Sequence, residues 1–238
     1  MSGWEIKESE NYIFNYQIDS YAEKDISKII ELQEKCYEDI TNVIKVRLPY
    51  KIKYYLCNTP ESVGQIYGDN EPCNGFADEP DKVYAVYNDE VKCIGHHEDA
   101  HVISYAINVP KSVAIREGFA MKFDKSWWGI DNFICTMIYY ESGRYLNIAE
   151  LIDDSYFYNV SCEISYPIVG AFTEFIIRQY GIEKYMEFYK YKDMDFKNEF
   201  NRIMGKSLGE VEDEFKLHIS GIKIGSSEKD KFIKILGI

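Results

Sequence analysis

The sequence predicts an α+β fold, and three observations predict it. Segments with strand-like alternation all lie upstream of residue 90, interleaved with helical patterns. Downstream of residue 91 only helical periodicity is found. Strands mixed with helices, followed by helices alone, is the order of an α+β chain. The length of 238 residues, without a long Pro/Gly/Ser-rich stretch, suits one large domain or two tightly joined subdomains. The expected organisation is an N-terminal α/β subdomain with a small mixed sheet over 1–107. A helical subdomain over 108–220 and a short tail over 221–238 follow.

Each element has a local reason. Residues 11–18 (NYIFNYQI) alternate and read as a strand. Ser20 and Glu23 form an S-x-x-E capping pattern ahead of Ile26, Ile29, Ile30, Tyr37, Ile40 and Ile44, so a helix is expected from Ser20 to about residue 45. Residues 50–57 alternate again, with Ile52, Tyr54 and Leu56 on one face. Thr59-Pro60 is an N-cap followed by proline in the first turn and predicts a short helix. Residues 69–81 are rich in Asp, Asn, Gly and Pro and read as loop, and 82–88 (KVYAVYN) as a strand.

Helices are expected over 91–107, interrupted by Asn108-Val109-Pro110, and over 111–124. The apolar stretch 127–140 reads as a buried helix, while 141–160 gives no clear pattern. A helix over 165–180 ends at Gly181, and shorter ones cover 182–192 and 195–204, the latter ending at Gly205. Ser207 and Glu210 repeat the capping box and open a helix to residue 219.

Composition removes several function classes. Hydrophobic residues make up 46% of the chain, enough to bury a core. The net charge of −13 and a pI near 4.8 repel polyanions, so neither nucleic acid nor anionic lipid is an expected partner. No run of about 18 apolar residues exists, so no membrane span is expected. The N-terminal Met-Ser-Gly-Trp-Glu-Ile-Lys-Glu lacks the form of a signal peptide. The six cysteines occur singly, and none lies in a C-x-x-C pair. Reduced thiols and a cytoplasmic setting are therefore expected, or a secreted setting if a leader had preceded this chain.

The chemistry concentrates at Gly95-His96-His97-Glu98-Asp99-Ala100-His101, where positions 97–101 match H-E-x-x-H. Residues four apart share one face of a helix, so His97 and His101 can reach one metal ion. Glu98 stands one step round and can serve as general base toward a water. A third ligand is expected from the next helix, and Glu117 in Ile115-Arg116-Glu117-Gly118-Phe119-Ala120 fits, beyond the turn at Pro110. The ordinary alternative is an acidic helix with surface histidines. His96 points about 100° away from His97 and is expected at the surface or behind the ligands. His218 is expected on the surface of the last helix, and Asp99 is expected to face away from the metal.

These residues resemble the gluzincin branch of zinc metallopeptidases, the peptidase MA type. That group carries H-E-x-x-H on one helix and a third-ligand Glu in an E-G-x-A segment on the next. The resemblance extends over roughly residues 10–219. It takes in Asn74-Gly75-Phe76-Ala77 upstream of the motif, Tyr166-Pro167-Ile168-Val169-Gly170-Ala171-Phe172 with Arg178-Gln179-Tyr180-Gly181, and Phe200 through Phe215. It implies a zincin-like fold, zinc held by His97, His101 and Glu117, and Glu98 as general base. It implies a tyrosine or histidine as donor to the oxyanion, for which Tyr166 is the candidate and Tyr156 and Tyr158 are rivals. It also implies that the segment from Phe76 to Tyr87 is an edge strand that pairs with an extended substrate, with Phe76 and Ala77 as substrate-binding residues. The segment reads equally as a plain structural strand.

The function expected is that of a zinc-dependent metallopeptidase, leaning to endopeptidase, with a peptide or protein substrate. The alternatives are a binding or regulatory module that keeps the zinc site without physiological peptidase activity, and a helical domain without metal.

Overall fold

Alternation in the first three strands and wide apolar stripes on two helices build the N-terminal unit of the computed structural model, which describes residues 3–238. The chain divides into two compact units, one running through Ile107 and the other from Asn108 to Ile238. The fold class is α+β.

The first unit contains β1 (Trp4–Glu8), β2 (Tyr12–Gln17), α1 (Tyr21–Ile44), β3 (Ile52–Cys57), α2 (Pro60–Tyr67), β4 (Gly75–Asp78), β5 (Lys82–Val86) and α3 (His96–Tyr105). The strands form one mixed sheet in the order β1-β2-β3-β5-β4. β2, β3 and β5 run parallel, and β1 and β4 are antiparallel edges. Helix α1 makes the crossover between β2 and β3, and α2 the one between β3 and β5, as parallel neighbours require. Tyr12, Phe14, Tyr54, Leu56, Val83 and Ala85 are buried on one face, the side of α1 and α3. On the other face, Tyr55, Tyr84 and Phe76 stand side by side across three strands. Their ring centroids lie 4.8 and 5.0 Å apart, cross-strand contacts that favour this register.

The sequence reading needs five corrections here. β1 was not foreseen: Trp4 and Ile6 alternate with charged residues, but the strand has only five residues and all are exposed. β4 lies inside the stretch read as loop: pairing with β5 makes the strand where local composition argues against one. The segment from Phe76 to Tyr87 is not a single edge strand, since β5 lies between β3 and β4 and β4 alone is the edge. The helix expected from residue 91 starts only at His96. Residues before it form a turn in which the Asn88 side chain accepts from the amides of Glu90 and Val91, and Cys93 N–H donates to Val86 O. Gly95 then takes φ 135° and ψ −149°, a backbone region closed to side-chain-bearing residues. At α1, Ser20 accepts from Glu23 N as foreseen, but the Glu23 carboxylate returns to Asp19 N, so the box is only half made.

The second unit contains α4 (Val113–Asp124), β6 (Ser126–Trp127), β7 (Ile130–Asp131), α5 (Asn132–Glu141), α6 (Ile148–Leu151), α7 (Asp154–Phe157), α8 (Cys162–Tyr180), α9 (Ile182–Tyr189), α10 (Phe196–Met204), α11 (Leu208–Ser220) and α12 (Ser226–Ile235). The helix expected over 127–140 is shortened by a two-stranded hairpin. Trp128 and Gly129 turn it with φ of 51° and 75°, the two positive angles of a two-residue hairpin loop, and Asp131 caps the helix that follows. The stretch over 141–160 holds the short helices α6 and α7. Residues 221–238, expected as a tail, carry α12, which packs on α5 through a Lys229–Glu141 ion pair.

Helix α8 is the centre of this unit and touches α4, α5 and α9. It includes Pro167, which has no N–H to give the carbonyl of Glu163. The Tyr139 hydroxyl of α5 donates to that carbonyl instead, at 2.9 Å. Helices α4 and α8 approach closely because Gly118 has no side chain. A Cβ there would lie 2.5 Å from Thr173 Oγ1 and 2.9 Å from Val169 O. Among the described residues, the six cysteines form no disulfide. Among the described residues, no helix is long and apolar enough to cross a membrane.

The Gly118 contact sets an expected outcome. Gly118→Ala forces α4 away from α8 and lowers stability by about 1–3 kcal/mol, the usual cost of overpacking a fitted interface. Urea unfolding measures it, and an unchanged midpoint would contradict the close approach.

Candidate metal centre

The ten residues of α3 carry most of the candidate chemistry. Its start is set by Gly95, which offers no side-chain cap, so the helix begins at once with His96 and His97. The imidazoles of His97 and His101 come out one turn apart on the same side. Their ring centroids are 5.0 Å apart, nearly perpendicular at 83°. His101 is buried and His97 half-buried. Tyr105, a further turn along, places its hydroxyl oxygen 3.2 Å from His101 Nδ1. A hydroxyl at that ring nitrogen helps to fix the orientation of the imidazole.

Glu98, 9% exposed, lies toward the sheet edge. A side chain placed on Gly75 of β4 would come within 3.4 Å of Glu98 Oε1 and 2.9 Å of Cys93 Sγ. The absence of a side chain at Gly75 is therefore what lets the strand backbone run against the carboxylate. Val86 N–H donates to Asn74 O, which with the register Gly75↔Ala85 and Phe76↔Tyr84 fixes the alternation along β4. Gly75 and Ala77 direct their backbone groups to the outer edge, and Phe76 and Asp78 direct theirs to β5. The side chain of Phe76 packs between Tyr84 and Tyr67, with centroids 5.0 Å from each.

Asp99 turns the other way, as the sequence suggested. It is fully buried among α1 and the sheet. It is hydrogen-bonded to the Tyr12 hydroxyl and accepts from Gln33 Nε2 at 3.0 Å. Burial is the main cause that raises its carboxyl well above the usual range, against the lowering effect of those two hydrogen bonds. Burial and the neighbouring Asp99 likewise raise the phenols of Tyr12 and Tyr54.

Glu117 is half-buried on α4, next to the Gly118 that seats this helix on α8. His97, His101 and Glu117 each offer one ligand atom, and these atoms all lie within 4.8 Å of one another. The group can hold a metal ion. Two imidazoles and one carboxylate are a borderline donor set of three, which suits a catalytic ion that keeps one position open.

The remaining expected residues fall in several places. Tyr166 is half-buried on α8, its ring 5.6 Å from that of Trp127 and 6.0 Å from that of Phe157. Tyr158 is 72% exposed, and Tyr156 is half-buried on α7. His96 pairs with Asp39 of α1 at 3.1 Å. His218 is exposed on α11, beside Phe133 and Phe175, and α11 is followed by one more helix. Tyr105 was missed by the sequence reading, although its spacing of four from His101 was a usable signal. Gln33 was missed with no signal to find it, since nothing local distinguishes it on α1.

No family model matches the chain, and no curated protein matches it.

Removing the hydroxyl in Tyr105→Phe leaves His101 Nδ1 without this partner. The expected result is a metal affinity lower by about tenfold, the lower end of what losing a partner behind a ligand costs. Competition with a chromogenic chelator reads it, and an affinity equal to that of the parent would remove Tyr105 from the site.

Proposed function

We propose that the chain is a zinc-dependent peptidase of the gluzincin kind with a zincin-like fold. The observation that carries the reading is the convergence of His97, His101 and Glu117, with Glu98 on the same helix beside the backbone of β4. His97 and His101 would hold the ion through imidazole nitrogens and Glu117 through a carboxylate oxygen. When bound, zinc supplies Lewis acidity, polarising a carbonyl and lowering the pKa of water.

The chain's own residues do the rest. Glu98 takes a proton from the attacking water and later gives it to the leaving amine, the task of a positioned carboxylate. The outer edge of β4, with Gly75 and Ala77 presenting backbone groups and Phe76 fixing the strand on β5, receives an extended peptide as an added strand. Backbone pairing of this sort gives affinity without strict sequence choice and supports endopeptidase action on a peptide or protein. Tyr166 donates to the oxygen on which negative charge develops, a role carried over from the family resemblance.

Glu98→Gln keeps the shape of the side chain and removes its basicity. The expected variant binds zinc in the same stoichiometry, by elemental analysis, and loses hydrolysis of a fluorogenic peptide library by at least about a hundredfold. Undiminished hydrolysis would sink the assignment of Glu98. Zinc bound by the parent with no turnover on any peptide would favour a binding or regulatory module instead.

A further inference from the structure

We infer that Gln33 of α1 is a positioning residue for the metal-binding helix: it holds the first turn of α3 and so sets where His97 and Glu98 stand. The inference rests on the metal-binding reading of α3 for its functional meaning, and on contacts within the first unit for its geometry.

Helix α3 has no side-chain cap of its own, because Gly95 occupies that position. Its first turn is held from outside. Gln33 is fully buried, and its Nε2 donates to Gly95 O at 3.1 Å and to Asp99 Oδ2 at 3.0 Å. Those two acceptors bracket residues 96–98, the segment that carries His97 and Glu98. One amide nitrogen thus pins both ends of the turn. A longer contact of 3.4 Å reaches the Tyr54 hydroxyl. The orientation of the amide is not arbitrary: reversed, its oxygen would face a carbonyl and a carboxyl oxygen, both acceptors.

Gln33 is itself held. The Tyr12 hydroxyl of β2 donates to the Gln33 backbone oxygen at 2.9 Å and is hydrogen-bonded to Asp99 as well. Strand, helix α1 and helix α3 are therefore joined in one buried polar cluster. The cluster is costly: Gln33 Oε1 and Asp99 Oδ1 are buried without a hydrogen-bond partner. An apolar packing of the same volume would leave no buried acceptor unpaired. What the polar cluster supplies and an apolar one cannot is a direction and a register for the helix start. The Asp39–His96 contact adds a weaker hold from the same helix α1, nearer to solvent.

The test compares Gln33→Met, which keeps length and volume but has no donor, with Ile29→Ala, a packing loss on the same helix. Two readouts are taken. The first is amide hydrogen exchange at residues 96–99 in metal-free protein. The second is the rate at which a chelator removes zinc from loaded protein. Gln33→Met is expected to speed exchange at 96–99 and zinc removal, each by about tenfold. Ile29→Ala is expected to lower the melting temperature and leave both unchanged relative to the rest of its unit. Should Gln33→Met fail to fold, Tyr12→Phe, which keeps the ring, is expected to shift both readouts in the same direction by a smaller factor. Exchange at 96–99 that matches the parent in a folded variant overturns the inference, as does a zinc-removal rate that follows the melting temperature alone in both variants. A parent protein that takes up no zinc defeats the metal reading, and the exchange data then still decide whether Gln33 holds the turn.

Discussion

The histidine pair depends on where α3 begins. A helix advances about 100° per residue, so a shift of one residue in its register would turn the face that His97 and His101 share by that angle. Nothing within α3 sets that start except Gly95, whose backbone angles end the preceding extended segment. The sheet supplies the other limits. β4 runs close enough to bring Gly75 against Glu98, and the turn from Asn88 to Cys93 returns the chain to the edge of β5 just ahead of the helix. Small changes at Gly75 or Gly95 therefore act on the placement of Glu98 and His97 rather than only on stability.

In the second unit the equivalent control is close packing. Gly118 and Gly170 both lie on the α4–α8 contact, and a Cβ at Gly170 would come 2.6 Å from Met121 Cβ. The glycine in the segment Glu117-Gly118-Phe119-Ala120 thus has a steric reason. It seats the helix that carries Glu117, and the neighbouring carboxylate inherits its position from that seat.

Much of this was legible in the sequence, for reasons that differ by residue. The long helices α1, α8 and α11 were read because apolar spacing and the caps Ser20, Gly181 and Ser207 are local signals. His97 and His101 were read because helical geometry alone relates them, and Glu117 because a short turn and a family-like context narrowed the search. What was not legible comes from partners distant in the chain. β4 is a strand because β5 is beside it, although its flanking residues look like loop. The hairpin before α5 was hidden by an apolar run that fits a helix equally well. Gln33 reads as an ordinary polar residue on an amphipathic helix, and only the fold brings it to residues 62 and 66 positions away.

Pro167 has a consequence for the cooperativity of α8. Because the Glu163 carbonyl is bonded to Tyr139 rather than to the next turn, the first turn of this helix is secured by α5 more than by its own ladder. A break in a helical ladder separates what opens locally from what opens only with the whole domain. The Tyr139 hydroxyl therefore ties the turn from Cys162 to Tyr166 to α5 at the one carbonyl that Pro167 leaves without a helical partner. Tyr166 ends that turn, so the start of its helix leans on the hydroxyl of a tyrosine in another helix.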